Sequence, residues 1–269
     1  MSSSLRRIWG LVYRHICMYR RSWPRLLEIA YWPTLELLVW GFTARFFSHG
    51  LNHPGGTLIL AGAALIAGVL LWEIMLRSQI GVAFSFLEEI WSRNLGHLFV
   101  SPLRPAELLS ALLTVSLIRT CVGLLPAIIL AFVLYHFNLF GPGPVMVLFF
   151  ANLLIMGWWL ALAIVALLFR YGAGAEALAW TIAFGITPVA CVFYPLASLP
   201  IWLQPVAQAL PAAHIFEGLR ALLLHNRVDW PQFALAFGLN AVWAGAAVGV
   251  FAAEFRRARI RGALISIGE

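Results

Sequence analysis

The sequence predicts an all-α integral membrane protein with six transmembrane helices, and three observations carry that prediction. Of its 269 residues 62% are hydrophobic and only 11% charged, and the mean hydropathy is +0.89, well beyond a soluble domain that is about half apolar. Six apolar blocks, at about 26–48, 57–78, 106–134, 145–169, 175–194 and 232–253, each approach the ~20 residues needed to cross a bilayer. Between them lie Gly/Pro-rich breaks, HGLNHPGG, FNLFGPGP, RYGAGAE and RVDWP, where a helix is expected to stop. The organisation that follows is an interface segment 1–25, a membrane domain 26–253 and a basic tail 254–269.

The lead is the first element. Leu5, Ile8, Trp9, Val12, Ile16 and Tyr19 fall on one helical face, away from Arg6, Arg7, Arg14 and Arg21, which is the pattern of a helix lying in the headgroup plane. A cleaved signal peptide would place its apolar core after a much shorter basic region, so the first apolar block is read as retained.

Arginine sets the orientation. Arg6, Arg7, Arg14, Arg20, Arg21 and Arg25 precede the first span, and Arg256, Arg257, Arg259 and Arg261 follow the last. The loops assigned inside hold Arg77, Arg93, Arg104 and Arg170, against Arg220 and Arg227 outside. The positive-inside rule then puts both termini in the cytoplasm.

The second block runs into a cytoplasmic segment in which Leu87, Ile90, Trp91, Leu95 and Leu98 recur at helical spacing, opposite Glu88, Glu89, Ser92, Arg93 and His97. A short amphipathic helix is expected over 87–98. Pro102 and Pro105 end it, because proline lacks the N–H and disfavours helix in the residue before it. Pro105 and Glu107 then suit the first turn of the third span. Such a helix either stabilises the surface or docks a soluble partner.

After the fifth block, Pro195, Pro200, Pro205 and Pro211 cut the chain into pieces too short to span, accompanied by Phe193, Tyr194, Trp202 and Phe216. Non-helical backbone at membrane depth is tolerated only when buried in protein or facing water. The prediction is a re-entrant helical hairpin on the outer side, with Glu217 and Arg220 spaced i, i+3 for an ion pair.

Charges within the blocks are costly. Glu36 and Arg119 lie about 15 Å and 20 Å into the first and third spans at the helical rise, so they are expected to pair or to face water. Glu73 and Arg77, at i, i+4, form a second expected pair. The tryptophans suit interfacial belts, although Trp158, Trp159 and Trp180 are less easily placed there.

Composition also excludes functions. All 18 basic residues are arginine, and without lysine neither a standard P-loop nor Schiff-base catalysis can be built. Asp229 is the sole aspartate, and neither HExxH nor GxSxG occurs. Cys17, Cys121 and Cys191 are too scattered for a disulfide framework or a CxxC site. His49 and His53 fall short of the three or four ligands a zinc site takes, so no metal site is expected.

The paired stretches EEIWSRNLGHLFVSPLRPAEL and FYPLASLPIWLQPVAQALPAAHIFEGLR resemble the permease subunit of the ABC-2 (type V) exporter family. That family carries an acidic segment closing on SPLR between spans two and three, and an F/Y-P-L-x-x-L-P-x-W-L-Q element before span six that ends in E-x-x-R. The resemblance implies a permease homodimer in a bacterial inner (cytoplasmic) membrane, each copy docked on a separate ATPase and moving a drug, lipid or glycolipid outward. Leu87, Glu88, Glu89, Ile90, Trp91, Arg93 and Leu95 would carry the ATPase coupling. ATP and magnesium would be bound by the ATPase, with no cofactor in this chain; membrane lipids are expected partners, and nucleic acid is not. The lead lacks the RDLKxRYxxS type of pattern found in polysaccharide-exporting members, which argues against a glycan. Glycan export is the alternative within the family. A lipid-modifying enzyme would need a nucleophile or metal set that the chain lacks, and a stand-alone secondary transporter would usually show two similar halves.

Overall fold

The computed structural model describes residues 3–50, 56–95, 103–172, 174 and 176–260. His53, Leu98, Pro102 and the end of the basic tail lie outside the described residues, as do the candidate ligand atoms of His49. All described secondary structure is helical. In chain order it comprises α1 (Ser3–Arg21), α2 (Trp23–Gly50), α3 (Gly56–Trp91), α4 (Pro105–Tyr135), α5 (Val145–Tyr171), α6 (Glu176–Ile186), α7 (Gln204–Gln208), α8 (Pro211–His225) and α9 (Trp230–Ile260).

Among the described residues, four stretches are long and apolar enough to cross a membrane: Ala61–Trp91 in α3, then α4, α5 and α9. Helix α2 has 28 residues, but Arg25, Glu28, Glu36 and Arg45 punctuate it and it is not among the four. The expected fifth span is shorter than its apolar block. Pro188 lies in a 3₁₀ turn, Thr187–Val189, that follows the last α-helical residue of α6, Ile186. The continuous apolar helix Ala177–Val189 is about 20 Å long at 1.5 Å per residue, short of the ~30 Å hydrocarbon core.

Helices α3 and α5 form the centre of the bundle. They approach closely at Gly157, where an added Cβ would overlap the Ser78 hydroxyl and lie 2.5 Å from the Met75 carbonyl oxygen. Small residues at such crossings let backbones meet without a side chain between them. Ser116 on α4 donates to the Ser78 carbonyl at 2.7 Å, and Gln79 reaches the Ala179 carbonyl of α6 at 2.9 Å. On the far side of α5, the Trp159 indole donates to Asn240 of α9 at 2.9 Å. Asn240 in turn donates to the carbonyl and side-chain oxygens of Asn152 at 3.1 and 3.0 Å. Trp159 is thus a bundle residue, because it is buried and its N–H is satisfied by a side chain of a neighbouring helix.

Phe86 packs edge-on against Phe169, which meets Phe255 in the same way, so the C-terminal ends of α3, α5 and α9 gather at one end of the bundle. Helix α1 packs against α4 and α2 and is bonded to that same end through Glu89 of α3. Its inner face is Leu11, Val12, His15 and Tyr19. Leu5 and Trp9, expected on the same apolar face, are exposed together with Tyr13.

The proline-rich stretch divides as its prolines require. A 3₁₀ turn spans Leu196–Ser198 behind Pro195, Pro205 opens α7 and Pro211 opens α8. Helix α8 buries Ala212, Ile215, Phe216 and Leu219 against α9, α3 and α5. The Phe216 ring meets Trp72 of α3 at 6.0 Å, while Trp202 and Ile201 stay exposed.

Candidate functional site

The sequence-predicted residues collect into three places. The first is the charged end of the bundle. Helix α3 continues unbroken through Leu87, Glu88, Glu89 and Ile90 to Trp91, so these residues are its last turns rather than a separate helix over 87–98. It ends because Arg93 adopts a left-handed conformation (φ 52°), which lets the Asn94 N–H turn back to the Glu89 carbonyl at 3.0 Å. Leu87, Ile90 and Leu95 are buried, and Trp91, Ser92 and Arg93 are exposed.

The acidic residues there do not form the solvent face that the amphipathic pattern suggests. Glu89 is buried, 3.0 Å from the Arg14 guanidinium and bonded to Asn94 at 2.7 Å, with His15 at 3.5 Å. Glu88 receives Arg25 at 3.3 Å and the Tyr19 hydroxyl at 3.2 Å. Glu107 takes the Arg7 fork at 2.9 and 2.6 Å and also accepts the Arg104 backbone N–H at 3.0 Å, capping the first turn of α4 behind Pro105. Hydrogen bonding to that carboxylate raises the Arg7 guanidinium above its ordinary value. The basic lead is therefore tied to three carboxylates by charge-assisted bonds, the bidentate Arg7 pair being the strongest geometry.

Arg119 belongs to this end. Its Nη1 donates to the Tyr19 hydroxyl at 2.7 Å and lies 3.4 Å from the Ser85 hydroxyl, with the guanidinium 4.7 Å from the centre of the Tyr19 ring. Burial pushes the Tyr19 phenol up, and the neighbouring Arg119 charge works against that. The expected Glu36–Arg119 pair does not form. Depth along a helix says nothing about which way a residue faces, and an arginine side chain can reach toward the nearer interface.

The second place holds the remaining intramembrane charges. Arg77 Nε donates to Glu73 at 2.7 Å, as the i, i+4 spacing predicts, and Glu73 is fully buried. Glu36 of α2 lies beside this pair. Glu36 and Arg77 line a cavity of about 410 Å³ together with Trp32 and Trp40 of α2 and Trp180 and Phe184 of α6. Trp180, hard to place from sequence, is therefore a cavity wall.

The third place is the proline-rich segment. Glu217 and Arg220 form the expected ion pair at 3.0 Å, and they also anchor the chain ahead of them. Glu217 accepts the Leu196 N–H at 2.7 Å, and Arg220 donates to the Cys191 carbonyl at 2.9 Å. His214 bridges the Gln208 carbonyl, at 2.9 Å, and the Gln232 side chain, at 2.6 Å, fixing α8 between α7 and α9.

Among the described residues no group of three or more His, Cys, Asp or Glu side chains could hold a metal. Cys17, Cys121 and Cys191 are free thiols. The sequence reading missed the partners Arg7, Arg14, Tyr19, Asn152 and Asn240. An asparagine inside each of two apolar spans was a signal for the last two, and an acid-free basic lead facing Glu88, Glu89 and Glu107 was one for the others. No protein-family model matches the chain, and no curated protein matches it in sequence.

Proposed function

We propose that this chain is the permease subunit of an ATP-driven exporter of the ABC-2 kind, working as a homodimer with a separate ATPase and moving an amphipathic substrate out of the cytoplasm or inner leaflet. The observation that carries the reading is the length and anchorage of α3. Its 36 residues extend about 54 Å at 1.5 Å per residue, against a hydrocarbon core of ~30 Å. One rigid rod therefore joins the charged cavity at Arg77 to an end beyond the membrane where Trp91, and Arg93 just past it, are exposed. A push at that end would be transmitted along α3 to the cavity, and the bonds from α1 keep the end from yielding locally.

Six spans are part of the same proposal. Helix α2 would cross with Glu36 turned toward α3, and α6 would cross with its 3₁₀ continuation and the chain after it. The re-entrant hairpin is supported by the depth of Phe216, whose partner Trp72 lies near the middle of α3. The outward apolar faces of α4 and α9, including Val122, Ile129, Val242 and Val250, would meet lipid and the second permease copy. Both termini are assigned to the cytoplasm of a bacterial inner membrane on the arginine distribution.

We place the docking surface at Trp91 and Arg93, which are exposed, rather than at Glu88 and Glu89, which are engaged by α1 and α2. The test is Trp91→Ala with Arg93→Glu in the purified complex. Retention of the ATPase should fall while the thermal stability of the permease is preserved. Unchanged retention together with unchanged transport would refute docking at this end.

A further inference from the structure

We infer that the cavity between α2, α3 and α6 binds an amphipathic organic cation. The inference deepens the export reading, on which calling the ligand a substrate depends; the binding itself does not depend on it. The cavity volume of about 410 Å³ lies within the ~300–1,000 Å³ range of small-molecule pockets. Its wall presents the aromatic rings of Trp32, Trp40, Trp180 and Phe184 beside the Glu36 carboxyl group.

Three of these rings are held in stacks. Trp40 lies on Phe193 with centroids 4.4 Å apart, and Trp180 lies on Phe184 at 6.0 Å. Aromatic faces carry negative potential and attract ammonium-type cations, most strongly where water is excluded.

Charge balance selects the same ligand. The cluster brings two carboxyl groups, Glu36 and Glu73, to one guanidinium, Arg77. An anion entering here would meet the Glu36 carboxyl group and the negative faces of indoles, while Arg77 on the same wall is already committed to Glu73 at 2.7 Å. A monovalent cation would take the place of the proton that two adjoining carboxyl groups otherwise share. The apolar body of the ligand would lie along Val39 and Ile80, also on the wall.

The experiment measures binding of tetraphenylphosphonium to the purified chain in a neutral detergent with no ATPase present, with tetraphenylborate as the anionic isostere. Failure of the exporter reading leaves this measurement untouched. Saturable binding of the cation and none of the borate is expected, with Glu36→Gln weakening the cation about tenfold or more. Phe184→Leu, at a more exposed wall position, should weaken it by a smaller factor and decides the matter if Glu36→Gln does not fold. Competition with a short-chain phosphatidylcholine separates a lipid headgroup, which displaces the probe, from a free cation, which is bound regardless of that lipid; either supports a cation site. Equal affinity for the two isosteres, or cation binding indifferent to both substitutions, would overturn the inference.

Discussion

Replacing Gly157 by alanine tests the central packing of the bundle. The new Cβ would lie 2.5 Å from the Met75 carbonyl oxygen and 3.0 Å from the Gln79 nitrogen, both backbone atoms of α3, and would overlap the Ser78 hydroxyl. The hydroxyl can rotate away, but the backbone cannot. An ordinary contact of about 3.4 Å requires α3 and α5 to part locally by nearly 1 Å, and overpacking of this kind costs about 1–3 kcal/mol. At ~2–4 °C per kcal/mol for a chain near this size, the detergent-solubilised protein should unfold several degrees lower. The assay is thermal unfolding followed by size-exclusion fluorescence, with Gly10→Ala as the control, since nothing lies within 4 Å of a Cβ there. Alanine at position 10 should be neutral or slightly stabilising, because it favours helix over glycine by up to ~1 kcal/mol. Equal behaviour of the two variants would refute the close α3–α5 approach.

Asn240→Leu removes the bonds to Trp159 and Asn152 and should cost about 2 kcal/mol at ~0.6 kcal/mol per bond, read in the same unfolding assay. Arg119→Leu and Glu36→Leu should have additive effects on stability, within about 0.5 kcal/mol, whereas Arg119→Leu and Tyr19→Phe should be strongly non-additive; a double-mutant cycle distinguishes these. Single cysteines at positions 93 and 202, after removal of the native three, should react with an impermeant maleimide in intact cells at 202 only. Labelling at 93 alone would invert the topology.

Much of this architecture was legible in the sequence wherever the governing interaction is local. The Glu73–Arg77 and Glu217–Arg220 pairs follow from helical spacing. The Pro105–Glu107 helix start and the division of the proline-rich stretch follow from properties of single residues. What could not be read was azimuth. Glu36 and Arg119 stand at similar nominal depth, yet one turns toward α3 and α6 and the other toward α1. The pattern around Glu88 and Glu89 put Leu87, Ile90 and Leu95 inside as the structure does, but also Trp91, which is exposed, and it could not distinguish a face turned to water from one turned to arginines sixty or more positions away in sequence, Arg14 and Arg25. The fifth block was over-read because its apolar residues continue past Pro188, where the α-helix does not.

The most direct test of the account is purification of the unaltered, tagged chain from its native membranes in mild detergent, followed by a nucleotide-hydrolysis assay on the product. The account predicts that the chain carries with it, in comparable amount, a second protein that hydrolyses ATP, as a chain without any lysine cannot form a standard P-loop of its own. A chain that purifies without a nucleotide-hydrolysing partner, and that drives ion-coupled uptake alone after reconstitution, would contradict it.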